Sequence, residues 1–127
     1  MPNARRLAAS VAAALDESKI LGVRAGAEPH RFTGVWVVVV MGRVFIRSWN
    51  DKRDGWRAAF RADPLGVIQI PDGREIRVRV RKVTGTRVLD AIDAAYAEKY
   101  HTPASRKWVR GFARPRRRAT TVELLPR

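Results

Sequence analysis

The chain of 127 residues contains no cysteine. Disulfides, thiolate metal sites and cysteine nucleophiles are therefore excluded. The longest uninterrupted apolar run, residues 35–41, is far shorter than the roughly 20 residues of a membrane-spanning helix. The two histidines, His30 and His101, have no carboxylate or second histidine at ligand spacing, so we expect no metal site. These absences predict a soluble single domain without membrane contact.

The N-terminus has few of the features of a secretory signal. Arg5 and Arg6 precede an apolar stretch, but that stretch is mostly alanine and continues into charged residues without a cleavage site. Leu7, Val11 and Leu15 recur at helical spacing, which predicts an amphipathic helix within residues 1–21. We therefore expect a cytoplasmic protein.

Acidic residues are scarce, 12 against 26 basic ones, which gives a net charge of +14. Only five of the basic residues are lysines, a bias towards arginine that codon usage in GC-rich genomes also produces. The excess is concentrated in two stretches, with a balance of 8 − 1 = +7 in residues 104–127 and 5 − 1 = +4 in residues 74–82. Such a field attracts phosphates or nucleic acid, and salt weakens the attraction.

The strongest structural pattern is a β-hairpin over residues 35–48. Residues 35–41 are almost all β-branched and too few for a helix, which predicts a strand covered on both faces. A turn at Gly42-Arg43 then leads into the second strand. Alternation in that strand places Phe45 and Arg47 on the face opposite the two aliphatic residues that flank Phe45.

The remaining residues alternate short elements with turns. The predictions are a loop over 22–34, a polar loop over 49–55, a short helix starting near 56 and capped by Asp54, strands over 66–70, 74–83 and 119–125, a helix over 87–100, and a basic loop over 102–118. This order predicts an α+β domain on an antiparallel sheet that curls towards a small barrel. The barrel core would occupy residues 32–126 of a single domain.

Five motifs in this order resemble an uncharacterised bacterial family, the domain of unknown function 2255. They are FTGVWVV (32–38), VFIRS (44–48), GWRA (55–58), DAIDAAYAEKY (90–100) and ATTVELLP (119–126). The likeness runs from about residue 15 to the C-terminus. Residues 103–118 are more basic than the family pattern.

The family pattern is in turn similar to the split β-barrel of flavin reductases and pyridoxamine-phosphate oxidases. That resemblance implies a homodimer that binds a phosphate-bearing cofactor, FMN or a deazaflavin of the F420 type, at the subunit interface. Carried over to this chain, it points to the residues Arg47, Ser48, Lys52, Arg53 and Trp56. It implies an oxidoreductase or carrier whose reactive atoms belong to the cofactor. The chain contains no P-loop, no GxGxxG and no nucleophile elbow, so hydrolytic chemistry is disfavoured.

The same residues favour an anion site on their own chemistry. Arg47 and Ser48 end a strand, and Lys52 and Arg53 follow just before a helix whose first N–H groups would be free. The alternative is a solvated loop beside a buried Arg47 that is paired with Asp90 or Asp93.

A second functional interpretation is non-specific binding of nucleic acid. Arg77, Arg79 and Arg81 share one strand face, and Trp108 and Phe112 are available for stacking. The basic C-terminal segment would add Arg110, Arg116, Arg117 and Arg118. Alternatively, the arginines of the strand simply cover an exposed sheet face. A barrel without cofactor, whose charge reflects codon bias, is a third interpretation.

Two side chains of the helix over 87–100 are candidates for the core rather than for a ligand site. Tyr96 falls on the apolar stripe of the helix, with its hydroxyl expected near the edge of the core. Lys99 is expected to pack its stem on the core and to keep its ammonium group in water.

Overall fold

The two edge strands of the sheet come from one stretch of chain, residues 33–40, in which only Trp36 separates them. The structure, a computed structural model, describes residues 6–26, 31–50, 52–53 and 55–127. Within these ranges the strands are β1 (Leu21–Ala25), β2 (Thr33–Val35), β3 (Val37–Val40), β4 (Arg43–Ile46), β5 (Leu65–Gln69), β6 (Glu75–Lys82) and β7 (Val122–Pro126). The helices are α1 (Ala9–Glu17), α2 (Trp56–Ala62), α3 (Thr86–Lys99), α4 (Arg106–Phe112) and α5 (Pro115–Arg118), with a 3-10 turn at Pro103–Ser105.

The strands form one antiparallel sheet in the order β2-β1-β5-β6-β7-β4-β3. At its two ends, β2 pairs with β1 and β3 pairs with β4, and only Trp36 separates β2 from β3. The sheet therefore curls into a nearly closed barrel. The predicted α+β class with an antiparallel, barrel-like sheet is confirmed at this level.

Two hydrophobic clusters lie on opposite sides of the barrel wall. The inner cluster contains Val44 and Ile46 together with residues of α1, and the outer cluster contains Phe45 together with residues of α3. The predicted alternation of the hairpin is confirmed, and β3 is covered on both faces as expected. The turn lies one residue earlier than predicted, at Met41–Gly42, where both residues have positive φ angles of 52° and 79°. Positive φ at both positions is the geometry of a tight two-residue hairpin turn.

The prediction of a loop over residues 22–34 is wrong, because β1 and β2 both fall in this range. Leu21 and Val23 are buried in the barrel. Between them, a Cβ on Gly22 would lie 3.1 Å from the Cβ of Phe32, so a glycine fits this strand where a larger residue would crowd its neighbour. Residues 27–30 lie outside the described ranges, as do residues 1–5 ahead of α1.

The prediction of a loop over residues 102–118 is also wrong, since most of this segment is helical. Pro103 begins the 3-10 turn and Pro115 begins α5. Proline is well tolerated at the first position of a helix, where its missing N–H has no intrahelical partner to lose. The proposed cap of α2, Asp54, lies outside the described residues, and the residue that precedes α2 is Gly55.

The last strand in chain order occupies a central place in the sheet. β7 lies between β6 and β4, with Leu124 opposite both Val80 and Val44. It therefore joins the part of the sheet that contains β1, β2, β5 and β6 to the β3–β4 hairpin.

Candidate ligand-binding cleft

All four tryptophans of the chain line one cleft. The cleft has a volume of about 540 Å³ and lies where the β3–β4 ladder ends. Its lining comprises Thr33, Gly34, Val35, Trp36, Arg47, Ser48, Trp49, Asn50, Lys52, Gly55, Trp56, Trp108 and Phe112. This volume is within the range of about 300–1,000 Å³ that is usual for small-molecule sites.

The hairpin register brings two of the tryptophans together. Val37 lies opposite Ile46, so Trp36, just before β3, and Trp49, shortly after β4, are at the same end of the hairpin. Trp56 is the first residue of α2, and Trp108 lies in α4. Four separate segments thus contribute one indole each to the cleft.

The rings of Trp36 and Trp49 are held by aromatic neighbours. Trp36 stacks on Tyr100 with the ring centroids 3.9 Å apart and the planes nearly parallel. Trp49 makes edge contacts with Trp108 at 4.8 Å and with Phe112 at 5.3 Å. These two walls of the cleft are therefore fixed without a ligand.

Arg117 holds Trp49 from its other side. The guanidinium carbon lies 3.5 Å from the centroid of the indole, and Nε donates a hydrogen bond of 2.9 Å to the carbonyl of Trp49. The buried Gly111 of α4 lies against the same indole, where a Cβ would overlap the ring. The position of Trp49 thus depends on an arginine and on the absence of a side chain at residue 111.

Arg47 lies in the protein interior, with a fully buried side chain. Its Nε donates to Thr121 Oγ1 at 2.7 Å, and its Nη1 pairs with Asp93 at 2.6 Å and donates to the carbonyl of Phe112 at 2.9 Å. Nη2 donates to the carbonyl of Leu89 at 3.3 Å. The sequence predicted Arg47 as a phosphate ligand, with a buried ion pair to an aspartate as the alternative. The structure has the buried ion pair, so Arg47 forms the base of the cleft.

Arg118 binds the same aspartate from outside. Its guanidinium contacts Asp93 and also pairs with Asp90 at 3.0 Å. Arg117 and Arg118 were predicted as nucleic-acid contacts. Both guanidinium groups are engaged within the chain, and their contact with nucleic acid stays a prediction.

The cations predicted after β4 are separated by the structure. Lys52 is exposed and lines the cleft, whereas Arg53 is exposed but is not part of the lining. Ser48 lines the cleft but is almost fully buried, and its backbone N–H donates to Thr120 Oγ1 at 2.9 Å. α2 has only seven residues, so we assign no anion site to its first turn. Of the two basic residues in the described lining, Arg47 is buried, and Lys52 is thus the one that is exposed.

Lys99, the last residue of α3, and Tyr100, which follows it, join α3 to α1 and β3 by hydrogen bonds. The ammonium group of Lys99 donates to the carbonyls of Leu15 at 2.9 Å and Val37 at 2.7 Å. The hydroxyl of Tyr100 accepts from the backbone N–H of Val37 at 3.0 Å and donates to the carbonyl of Lys19 at 2.6 Å. The head of Lys99, which was expected to lie in water, thus bonds two backbone carbonyls. Burial lowers the pKa of Lys99 to about 8 and raises the pKa of Tyr100 to about 12.

Tyr96 belongs to the core, as predicted. Its side chain is fully buried against Phe112, with the ring centroids 5.1 Å apart. Its hydroxyl was expected near the edge of the core but lies inside it, and burial raises the pKa of this phenol above its usual value.

A second buried charge lies away from the cleft, in β7. Glu123 is 1% exposed and accepts two hydrogen bonds from Arg43, at 2.8 and 3.0 Å, and one from Arg81 at 2.7 Å. Burial alone would raise the pKa of this carboxyl, but the bonds from the two arginines keep the pKa below its usual value. Arg81 is therefore paired, unlike Arg77 and Arg79 of β6.

Sequence reasoning missed several residues of the cleft. Trp36 and Trp49 were not assigned to a site, nor were Thr33 and Asn50, although all four line the cleft. A signal was available, because a hairpin over residues 35–48 necessarily places residues 36 and 49 at the same end. Trp108 and Phe112 were assigned to nucleic-acid stacking, and the structure places both in the cleft wall.

Among the described residues, no helix combines the length and the apolar character that a membrane span requires. The same residues include no group of three or more histidine or carboxylate side chains arranged to hold a metal ion.

Comparison with known proteins identifies a family and a similar fold. Residues 9–124 match the family described as "Uncharacterized protein conserved in bacteria (DUF2255)". The crystal structure of the conserved hypothetical protein Rv2991 from Mycobacterium tuberculosis is similar, with a TM-score of 0.61 and 18% sequence identity. The similarity covers 98% of this chain and 82% of that one, and at this identity it concerns the fold alone. No curated protein matches the chain.

Proposed function

Because this chain belongs to the DUF2255 family of bacterial proteins, whose description names no chemistry, we propose a function from its cleft: binding of a planar, phosphate-bearing cofactor of flavin or deazaflavin type. The observation that carries this proposal is the convergence of all four tryptophans on one cleft. The resemblance of the fold to split β-barrels of flavin-dependent enzymes supports it by analogy.

The aromatic lining suits a flat ring system. Stacked and edge-to-face aromatic contacts contribute about 0.5–1.5 kcal/mol each beyond the area they bury. Trp36 and Trp49 are already held by Tyr100, Phe112 and Arg117, so binding would order few additional side chains. Trp108 is 40% exposed and Trp56 is half-buried, which leaves indole surface for a ligand to cover.

The phosphate would bind at Lys52. Its ammonium group is exposed at the cleft, close in sequence to the amide of Asn50, and it has no ion-pair partner among the described residues. A lysine binds phosphate as a point charge and can donate several hydrogen bonds to it. Arg47 supports this part of the cleft by holding Thr121 and the carbonyl of Phe112, and it does not contact the ligand.

The bound ring would supply the redox chemistry, and the chain would bind, orient and shield it. The proposed role is that of a small oxidoreductase or a cofactor carrier. We extend the proposal to a homodimer in which a second copy covers the open side of the cleft, as the split-barrel resemblance implies. Light scattering with and without FMN tests the dimer.

Titration with FMN, riboflavin and a deazaflavin phosphate tests the cofactor. Tryptophan emission is a suitable signal because every indole of the chain lines the cleft. We expect FMN to quench it, and we expect Lys52→Ala to weaken FMN binding about tenfold, the scale of one charged hydrogen bond. Arg53→Ala is the matched control, since it removes the adjacent exposed cation outside the cleft lining.

Riboflavin should bind the wild type and Lys52→Ala equally, because it has no phosphate. Equal affinity of the wild type for FMN and riboflavin would refute the phosphate contact. Absence of quenching by all three compounds would refute the cofactor proposal.

A further inference from the structure

The outer face of β6 carries a row of arginines that the cleft does not use. Arg77, Arg79 and Arg81 are exposed and alternate with Ile76, Val78 and Val80, which face the barrel interior. We call these three arginines the β6 row. Alternate residues of a strand lie about 6.6–6.8 Å apart, so the row places three arginines at regular spacing along one face of the strand.

Aliphatic side chains flank the β6 row on the same face. Residues opposite each other in an antiparallel ladder share a face. Arg79 lies opposite Leu65 on one side and Leu125 on the other, and Arg77 lies opposite Val67. These aliphatic residues are half-buried and belong to neither hydrophobic cluster. The face therefore presents aliphatic groups and arginine side chains together.

Two carboxylates near this face are paired with arginines. Glu123 is paired with Arg81 and Arg43, and Glu75 is paired with Arg24 at 3.4 Å. Arg77 and Arg79 have no ion pair or hydrogen bond to any described residue. Two uncompensated charges thus remain at the centre of the face.

We infer that the outer face of β6 binds the phosphate backbone of duplex nucleic acid, without reading its sequence. A second copy of this chain docked face to face here is disfavoured as the occupant, because Arg77 and Arg79 would meet the same arginines of that copy. The described residues of this face include no aromatic ring opposite the row on which a base could stack, which favours a duplex over a single strand. Arginine also forms the bidentate contacts that suit phosphate oxygens.

Anisotropy titration of a labelled duplex of mixed sequence tests this surface. The double variant Arg77→Ser/Arg79→Ser removes the two unpaired members of the row. The matched control, Arg106→Ser/Arg110→Ser, removes the same charge from exposed positions of α4. Both pairs are on the surface, and circular dichroism checks that each variant is folded.

Each phosphate contact contributes about 0.9 to the slope of log K against log salt concentration. We therefore expect the row variant to lower that slope by about two and to lose roughly 10- to 100-fold in affinity at 0.1 M salt. The α4 variant should lose clearly less. Different duplex sequences should bind with the same affinity.

Three results would overturn the inference: no binding by the wild type, equal losses in the two double variants, or full competition by polyglutamate. The last would indicate that any polyanion, such as an acidic protein, binds the face. Saturation with FMN and the Lys52→Ala variant should leave duplex binding unchanged, so failure here and failure of the cofactor proposal are separable.

Discussion

The indole of Trp49 lies directly against the backbone of Gly111, with no room between them for a methyl group. The contact joins the end of the β3–β4 hairpin to α4, and it fixes one wall of the cleft. Backbone flexibility plays no part in it, because Gly111 lies within a helix. Residue 111 is glycine because the indole of Trp49 occupies the volume that any larger side chain would need.

The variant Gly111→Ala should therefore be destabilised. In a free helix, alanine is more stable than glycine by about 1 kcal/mol, so propensity alone predicts the opposite sign. Overpacking typically costs about 1–3 kcal/mol, and we expect it to dominate and to displace Trp49. Urea unfolding followed by tryptophan emission measures both effects. Gly85→Ala is the control, since the nearest atom to its Cβ would be at 4.0 Å. A more stable Gly111→Ala would contradict the packing.

The variant Arg47→Met should lose about 3 kcal/mol of unfolding free energy, the usual cost of breaking a buried ion pair. Arg47→Lys should restore little, because an ammonium group cannot bond Thr121, Asp93 and two carbonyls at once. Chemical denaturation measures the loss. If Arg47→Met were as stable as the wild type but failed to bind FMN, Arg47 would be a ligand contact after all.

The stability of the protein should fall in acid through Glu123. Its pKa in the folded state is below the value of 4.5 for an unperturbed glutamate, so the folded state favours the charged form. The resulting stabilisation is complete above pH 4.5 and is lost as pH falls through the lower folded pKa. Glu123→Gln should be less stable at pH 7. Below pH 4.5 its unfolding free energy should change less with pH than that of the wild type. Thermal unfolding across that range is the measurement, and parallel curves for the two proteins would contradict it.

The lowered pKa of Lys99 predicts that the unfolding free energy changes with pH in the alkaline range. Its pKa is about 8 in the folded protein against 10.5 for a free lysine, so the unfolded chain holds more protons between these values. The contribution of Lys99 to the unfolding free energy should therefore rise from about pH 8 to pH 10.5. Lys99→Met should lack this rise, so its stability relative to the wild type should fall from about pH 8 to pH 10.5. The urea concentration at the unfolding midpoint, measured at a series of pH values, compares the wild type with Lys99→Met.

The hairpin and the amphipathic α3 could be predicted from the sequence because their patterns are local. Alternation fixed the faces of Val44 and Phe45, and helical spacing placed Tyr96 in the core. β1 was missed because its pattern includes Gly22, whose role appears only when Phe32 packs over it. The helices of residues 103–118 were missed because Pro103 and Pro115 interrupt helices but also begin them.

The cleft was predicted only in part for a related reason. Ser48, Lys52 and Trp56 are close in sequence, and they do line it. Trp108 joins them from a segment more than 50 residues away, which no local pattern shows. Burial of Arg47 depends on Thr121, Asp93 and the end of α4, three separate parts of the chain. The family resemblance was confirmed, and the cofactor that it implied stays a prediction.

The central position of β7 constrains the order in which the protein can fold. Until residues 122–126 are available, β6 and β4 have no partner to join them, and the sheet exists as two separate pieces. During synthesis the chain emerges from its N-terminus, so the inner cluster stays open to water until the last strand leaves the ribosome. A chain cut before residue 122 should expose that apolar surface and aggregate, whereas a separately supplied β7 peptide could complete the barrel in trans.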